Sequence, residues 1–454
     1  MDENRKNEWN EKHYKSMLAY ISVFMILTMG LYLYIHRSIG HIPLMDYWKN
    51  GAEVLQHILY DPIDLSSFVT FPHALHWNPL YDAYNYIFVR IFRSDNCSYI
   101  YAGMVITIMT TILLIIFYSK FLKNGKWDFI GALLFILPLY NLNQWEIIVL
   151  SCYVAFSLRI FLYVILWIWT DRLMSREGKP IELILYGLLS FGVIMYTSQA
   201  YYPGLVAGIC GTVLLKMIIK KKIKKEDIIV VLVQISSALV CYLTMIKTPI
   251  GATESIALSK VFFDQIRGVL FMLAATIVPV TKQTDINMCI GIGSVIFLLT
   301  IIAIILFLKE RMYEKTYLPL MLLVYAFVSI LTIIAGRMYI YGFLTLGSSR
   351  YVVETTIGLM GLVSIYWYSF SHGKYGVKIL SFITMMLLTI GIMYANKIEW
   401  GIGPYRAQYN INMQYLAEHI DEASDEDLEM FQAPPEDVRE TVKFMKENHL
   451  CIWK

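Results

Sequence analysis

Charged side chains are scarce in this chain. Lys, Arg, Asp and Glu supply only 16% of its 454 residues, where a soluble protein carries about a quarter. The formal net charge is only +3, too little for an electrostatic grip on nucleic acid. Cysteine is sparse and scattered, at Cys97, Cys152, Cys210, Cys241, Cys289 and Cys451. The absence of any CxxC leaves a structural zinc or a dithiol redox motif unsupported. Cys210 and Cys241 fall inside apolar runs and read as small core residues. Cys97 and Cys451 are placed to meet outside a membrane, and the sequence does not decide whether they pair. There is no P-loop and no GxGxxG; Gly291-Ile-Gly293 has no third glycine in register and opens an apolar run. No tandem repeat is visible. Asp425 and Asp427 form an Asp-x-Asp, but inside the acidic run 421–429, which reads as a solvated helix face.

What the chain has instead is apolar length. Hydrophobic residues make up 57% of it, gathered into uncharged runs near 17–35, 98–121, 127–142, 147–170, 181–198, 203–220, 228–246, 287–308, 317–335, 350–369 and 377–396. A membrane-spanning helix needs ~20 such residues, so the expected fold is an all-α integral membrane protein with about eleven transmembrane helices. The first run is expected to remain as the first helix, with a cytoplasmic N-terminus. Every second connection is short and basic: Lys120, Lys123 and Lys126; Arg172, Arg176 and Lys179; Lys216 through Lys225; Lys309, Arg311 and Lys315; Lys374 and Lys378. These are the expected cytoplasmic loops. Residues 262–280 would invert everything after them if they crossed, so they are expected to form a re-entrant or interfacial segment on the outer face, within 247–286. The polar mass then lies outside, in the first loop (36–97), the region 247–286, the loop 336–349 and the tail 397–454. Residues 1–396 form the polytopic domain. The tail holds twelve acidic against six basic residues. Val438, Val442 and Met445 give it one apolar helical stripe, expected to dock on the first loop.

Five places carry residues suited to chemistry. Asp46 follows the first span at the membrane surface, in an aromatic, partly apolar setting that would favour its acting as a proton acceptor; a helix N-cap is the other reading. Arg337 and Arg350 flank a short outer loop, and two guanidiniums there suit a lipid phosphate. Interfacial snorkelling, with an i,i+4 pair from Arg350 to Glu354, is the alternative. Arg159 falls mid-span, where a charge marks function or an ion pair with Glu146 or another helix. His73 and His76 form an HxxH that offers a metal two ligands without a clear third, and a hydrogen-bonded structural pair satisfies the spacing as well. Tyr32, Tyr34, Trp48, Trp77, Tyr196, Tyr201 and Tyr202 read first as interface aromatics.

The ordered set Ile42-Pro43-x-x-Asp46-x-Trp48, His73-x-x-His76, Gln144-Trp145-Glu146, Gly336-Arg337, Ser349-Arg350-Tyr351 and Phe444 to Leu450 resembles the bacterial polytopic membrane glycosyltransferases of the GT-C type, in particular a group with a short extracytoplasmic tail. The chain departs from that group at Leu75 and Trp77, and at Ile147 and Ser151. The resemblance implies a polyprenyl-phosphate-linked sugar donor, a surface glycan or lipid-linked acceptor, and transfer at the extracytoplasmic face of the cell membrane, with no nucleic-acid partner. It makes Asp46 the catalytic base and Arg350, with Arg337, the holder of the donor phosphate. Arg159, Glu146, His73, His76, Glu354, Tyr351 and Trp48 would be supporting residues. No cofactor is required by the pattern, and a divalent metal stays open. A polysaccharide polymerase or ligase, and a transporter or flippase of lipid-linked sugar, are the rival readings.

Overall fold

The computed structural model describes residues 3–43, 47–61, 79–121, 128–150, 153–196, 201–245 and 258–454. Every regular element among them is helical. In order they are α1 (Glu3–His36), α2 (Gly51–Tyr60), α3 (Pro79–Phe92), α4 (Asn96–Phe121), α5 (Asp128–Ile136), the short α6 (Trp145–Val149), α7 (Tyr153–Ser175), α8 (Pro180–Tyr196), α9 (Tyr202–Lys220), α10 (Lys225–Met245), α11 (Leu258–Ala275), α12 (Ile286–Lys309), α13 (Leu318–Ile333), α14 (Ser349–His372), α15 (Tyr375–Glu418) and α16 (Pro435–Glu447).

Nine helices among the described residues are long and apolar enough to cross a membrane. The two remaining apolar runs also fold as helices, α8 and α14. α8 is short, at 17 residues. α14 is less apolar for a physical reason: every residue from 351 to 369 is buried, so it faces other helices rather than lipid. Protein surroundings let it carry Glu354, Thr355, Thr356 and Ser364, which hydrocarbon would not tolerate unpaired.

Small residues bring the central helices together, as membrane interiors favour. On α9, a Cβ at Gly204 would lie 2.2 Å from Ser329 Oγ, and one at Gly208 2.9 Å from the Met321 carbonyl oxygen, so α9 and α13 are nearly in backbone contact. At the end bearing the basic loops, Asp171 of α7 accepts from the Tyr317 amide at 2.5 Å and from Thr316 Oγ1 at 3.0 Å, satisfying the free start of α13.

The stretch between α5 and α7 differs from the sequence expectation. The fourth long helix begins at Tyr153, not near 147. Pro138 and the Asn141 side chain, which accepts from the Asn143 amide, turn the chain out of α5 through two tight turns. α6 is then a separate helix, and the turns free Asn141 and Asn143 to act elsewhere. Their carboxamides donate to the Thr276 and Ala275 carbonyls, at 2.8 and 2.5 Å, capping the C-terminal end of α11.

That end lies against the buried helix α14. Gly268 of α11 packs on Ile334, just beyond α13. Eight residues later Thr276 donates to Thr355 Oγ1, at 2.6 Å. Thr355 lies about 9 Å along α14 from its start, by the ~1.5 Å rise per residue.

The tail packs as expected from its stripe. Val438, Val442 and Met445 are fully buried in a second hydrophobic core with Leu55, Ile58, Trp48 and Phe431. Thr441 Oγ1 accepts from the Ala52 amide at 3.1 Å, tying α16 to α2. α15 carries this unit: it runs unbroken past Asn396, so the chain enters the tail region as a continuation of its last long helix.

Candidate functional site: two ion pairs at the head of α14

Glu146 of α6 is the organising residue. Its Oε2 accepts from Ser348 Oγ (2.6 Å), Ser349 Oγ (3.1 Å) and the Arg350 amide (3.3 Å), and its Oε1 meets the Arg350 guanidinium at 2.8 Å. The Glu146 amide in turn donates to Ser349 Oγ at 3.1 Å. A carboxylate in this position satisfies exposed amides at the start of α14 and opposes the positive end of its dipole. Glu146 is buried, whereas the Arg350 side chain is 44% exposed. One face of that guanidinium is therefore fixed while solvent reaches the rest.

One turn further along α14, at Glu354, lies the second pair. Arg159 of α7 meets Glu354 Oε1 at 2.5 Å, and Tyr325 donates to the other carboxylate oxygen. Both charged side chains are essentially inaccessible. The Arg159 guanidinium lies over the Tyr201 ring, 3.7 Å from its centroid, with Phe156 and Tyr163 beside it. Its Nε and Nη1 have no hydrogen-bond partner among the described residues. The mid-span arginine thus has its partner on another helix, and that partner is Glu354 rather than Glu146. Arg350 does not make the i,i+4 pair with Glu354, because Glu146 holds it.

Tyr201 and Tyr351 join the two pairs. Tyr351 lies within electrostatic reach of Arg337, Arg350 and Glu146, and Tyr201 within reach of Arg159, Glu354, Tyr351 and Arg337. Arg337 itself sits in a π-helical segment (Ile334–Met338) that widens the end of α13, with its guanidinium 5.5 Å from the Tyr341 ring centroid. Such bulges re-aim side chains and recur at functional sites. Among the described residues, three guanidiniums and two carboxylates gather here, from α6, α7, α13 and α14. This assembly can hold an anion at the end of the bundle away from the basic loops.

Asp46, His73, His76 and Trp77 lie outside the described residues. Trp48 does not border the arginines and is not an interface aromatic. It is fully buried, edge-on to Phe431 at 4.8 Å, and donates to the Pro43 carbonyl at 2.7 Å. Tyr34 is equally buried; its hydroxyl donates to Glu399 at 2.6 Å. Tyr201 is a shelf for Arg159.

Sequence reasoning missed two groups. Glu399 and Arg406 pair through both carboxylate oxygens, at 2.7 and 2.8 Å, with Arg406 stacked 3.2 Å from the Trp145 ring centroid. Their i,i+7 spacing on one helix face was the available signal. The second group ties down the C-terminus. Asp95 receives Lys454 at 2.5 Å and His41 at 3.1 Å. Burial raises the Asp95 carboxyl, but these two partners outweigh it and hold the group below its usual range. Burial pushes the nearby Cys451 thiol up to about 12, and it and Cys97 are free thiols. His41, Asp95 and Cys97 offer ligand atoms within 4.8 Å of one another. A metal there would have to displace the Lys454 ammonium from Asp95, so the arrangement as it stands is a salt-bridge lock.

The chain matches no protein-family model, and no curated protein matches it.

Proposed function

We propose that this protein is a GT-C type membrane glycosyltransferase that moves a sugar from a polyprenyl-phosphate-linked donor to a surface glycan or glycolipid at the extracytoplasmic face. The observation that carries the reading is the gathering of Arg159, Arg337 and Arg350 around Tyr201 and Tyr351 at the head of α14. A phosphate leaving group develops charge as the glycosidic bond breaks, and preorganised guanidiniums stabilise that charge. In this reading the donor phosphate meets Arg350 and Arg337, Glu146 fixes Arg350 in place, and the Arg159–Glu354 pair sets the electrostatic floor. Asp46 is the base that takes the proton of the acceptor hydroxyl as it attacks the anomeric carbon, with inversion. The topology that accompanies this proposal has eleven spans, a cytoplasmic N-terminus and an extracytoplasmic tail, with α11 as a re-entrant helix entering from outside.

The test is transfer from polyprenyl-phosphate sugars by purified protein in lipid. Asp46→Asn is expected to leave expression and folding intact and to slow transfer ~100-fold or more, as loss of a general base does. Near-normal transfer by that variant would remove Asp46 from the mechanism. A lipid-linked-sugar flippase is the rival reading. Substrate flux across vesicles without any change in the sugar linkage is the result that would select it.

A further inference from the structure

Beside α6 lies a cavity of about 310 Å³, between Trp145 and Val149 and the part of α15 from Ile402 to Asn410. Asn396 Oδ1 accepts from the Leu142 amide at the outer end of the spans. Ile402 comes six residues later, so the cavity stands beyond the hydrocarbon layer of the proposed topology. Its size is at the lower end of small-molecule sites, ~300–1,000 Å³, enough for one or two rings and not for a long polyprenyl chain.

The chemistry of its walls is specific. Trp145, Tyr405 and Tyr409 supply flat apolar faces. Among the described residues Arg406 is the one charged group lining it. Glu399 neutralises that charge through both carboxylate oxygens, and Tyr34 donates to the same carboxylate. An anionic ligand would find no uncompensated charge. Asn410 also lines the cavity and is 2% exposed; its Nδ2 donates to the Ser38 carbonyl at 3.1 Å, while its Oδ1 has no hydrogen-bond partner among the described residues. Among the same residues the Ser38 hydroxyl is likewise unpartnered. A buried acceptor left open is costly, and a purely hydrocarbon guest would leave it open. A neutral ring with C–H groups on one face and hydroxyls at its edge satisfies all of these features at once.

We propose that this cavity is a binding subsite for a neutral hexopyranose, with the ring stacked on the aromatic wall and a hydroxyl directed to Asn410 Oδ1. That the sugar belongs to the acceptor rests on the transferase reading; that it binds does not. Trp145 and Glu146 are adjacent in sequence, so a sugar here stands beside the carboxylate that holds Arg350.

The experiment is saturation-transfer NMR on the full chain in lipid nanodiscs. The probes are methyl β-glucopyranoside, methyl β-galactopyranoside, methyl β-N-acetylglucosaminide, methyl β-glucuronide and geraniol. At least one neutral pyranoside is expected to bind, with strongest saturation on one ring face, and the glucuronide is expected to bind at least ~10-fold more weakly. Tyr405→Ala changes a residue that is 77% exposed and so should fold normally. It and Trp145→Ala are expected to weaken binding up to ~10-fold, the scale of one aromatic contact, and Trp145→Phe should recover most of it. No difference between wild type and Tyr405→Ala for every neutral pyranoside overturns the proposal, as does binding of geraniol alone. Sugar binding without any transferase activity would keep the subsite and sink the transferase reading; transfer that is indifferent to Trp145 and Tyr405 would do the reverse.

Discussion

Arg159 and Glu354 show what a charge inside an apolar bundle requires. Each was taken out of water at a cost that the other must offset, so removing one alone is worse than removing both. Glu354→Ala is expected to lower stability by about 3–5 kcal/mol, because it leaves a guanidinium buried with only Tyr201 and its aromatic neighbours. The double variant Arg159→Met with Glu354→Leu should recover most of that loss. Unfolding midpoints in detergent check this, and equal midpoints for the single and double variants would contradict it. Asp95 is also buried, but its partners outweigh the cost of burial. Its folded-state carboxyl is held below the usual carboxylate range by Lys454 and His41. The stability it lends is therefore present above its unfolded pKa and is lost as pH falls through the folded value. Acidification below about pH 4 should loosen the C-terminal residues from the head of α4, read as faster amide exchange near Cys451, and Asp95→Asn should abolish the pH dependence.

At the scale of elements, two pieces of structure decide where the site residues sit. The first is the tail, whose α16 stripe is buried against α2. Val442→Asp would place an unpaired carboxylate in that core, a cost of several kcal/mol, and should release α16 to limited proteolysis while the spans stay folded. Unchanged protection would show that the stripe does not hold the tail. That stripe was legible because a 3.6-residue period in an otherwise charged segment has one reading. The second piece is α6 with the turns that precede it. It was not legible: the 127–142 and 147–170 runs suggested two spans meeting at a tight corner. Pro138 and Asn141 instead open a separate short helix, and Glu146 on that helix reaches Ser348, Ser349 and Arg350 about 200 residues away. No local pattern announces such a closure. The sequence offered Arg350 a nearer partner in Glu354, and distance along the chain favoured the wrong one.

For the molecule as a whole, uncharged length and alternating basic loops carried most of the information. They placed helices where the nine apolar ones and the buried α14 are found. They also isolated residues 262–280 as a segment whose crossing would put Lys309, Arg311 and Lys315 on the wrong side. Membrane-impermeant thiol labelling of single cysteines at Tyr375 and Tyr415, both exposed, tests the topology: only the Tyr415 position should label in intact cells, and labelling at both would break it.

The central claim is sugar transfer to a surface glycan, and its most direct measure is mass. Surface glycans from cells lacking the protein, compared with cells carrying the wild type or Asp46→Asn, should lose one defined sugar unit that only the wild type restores. Identical glycan masses in all three would contradict the account, and restoration by Asp46→Asn would leave the transfer but remove its proposed base.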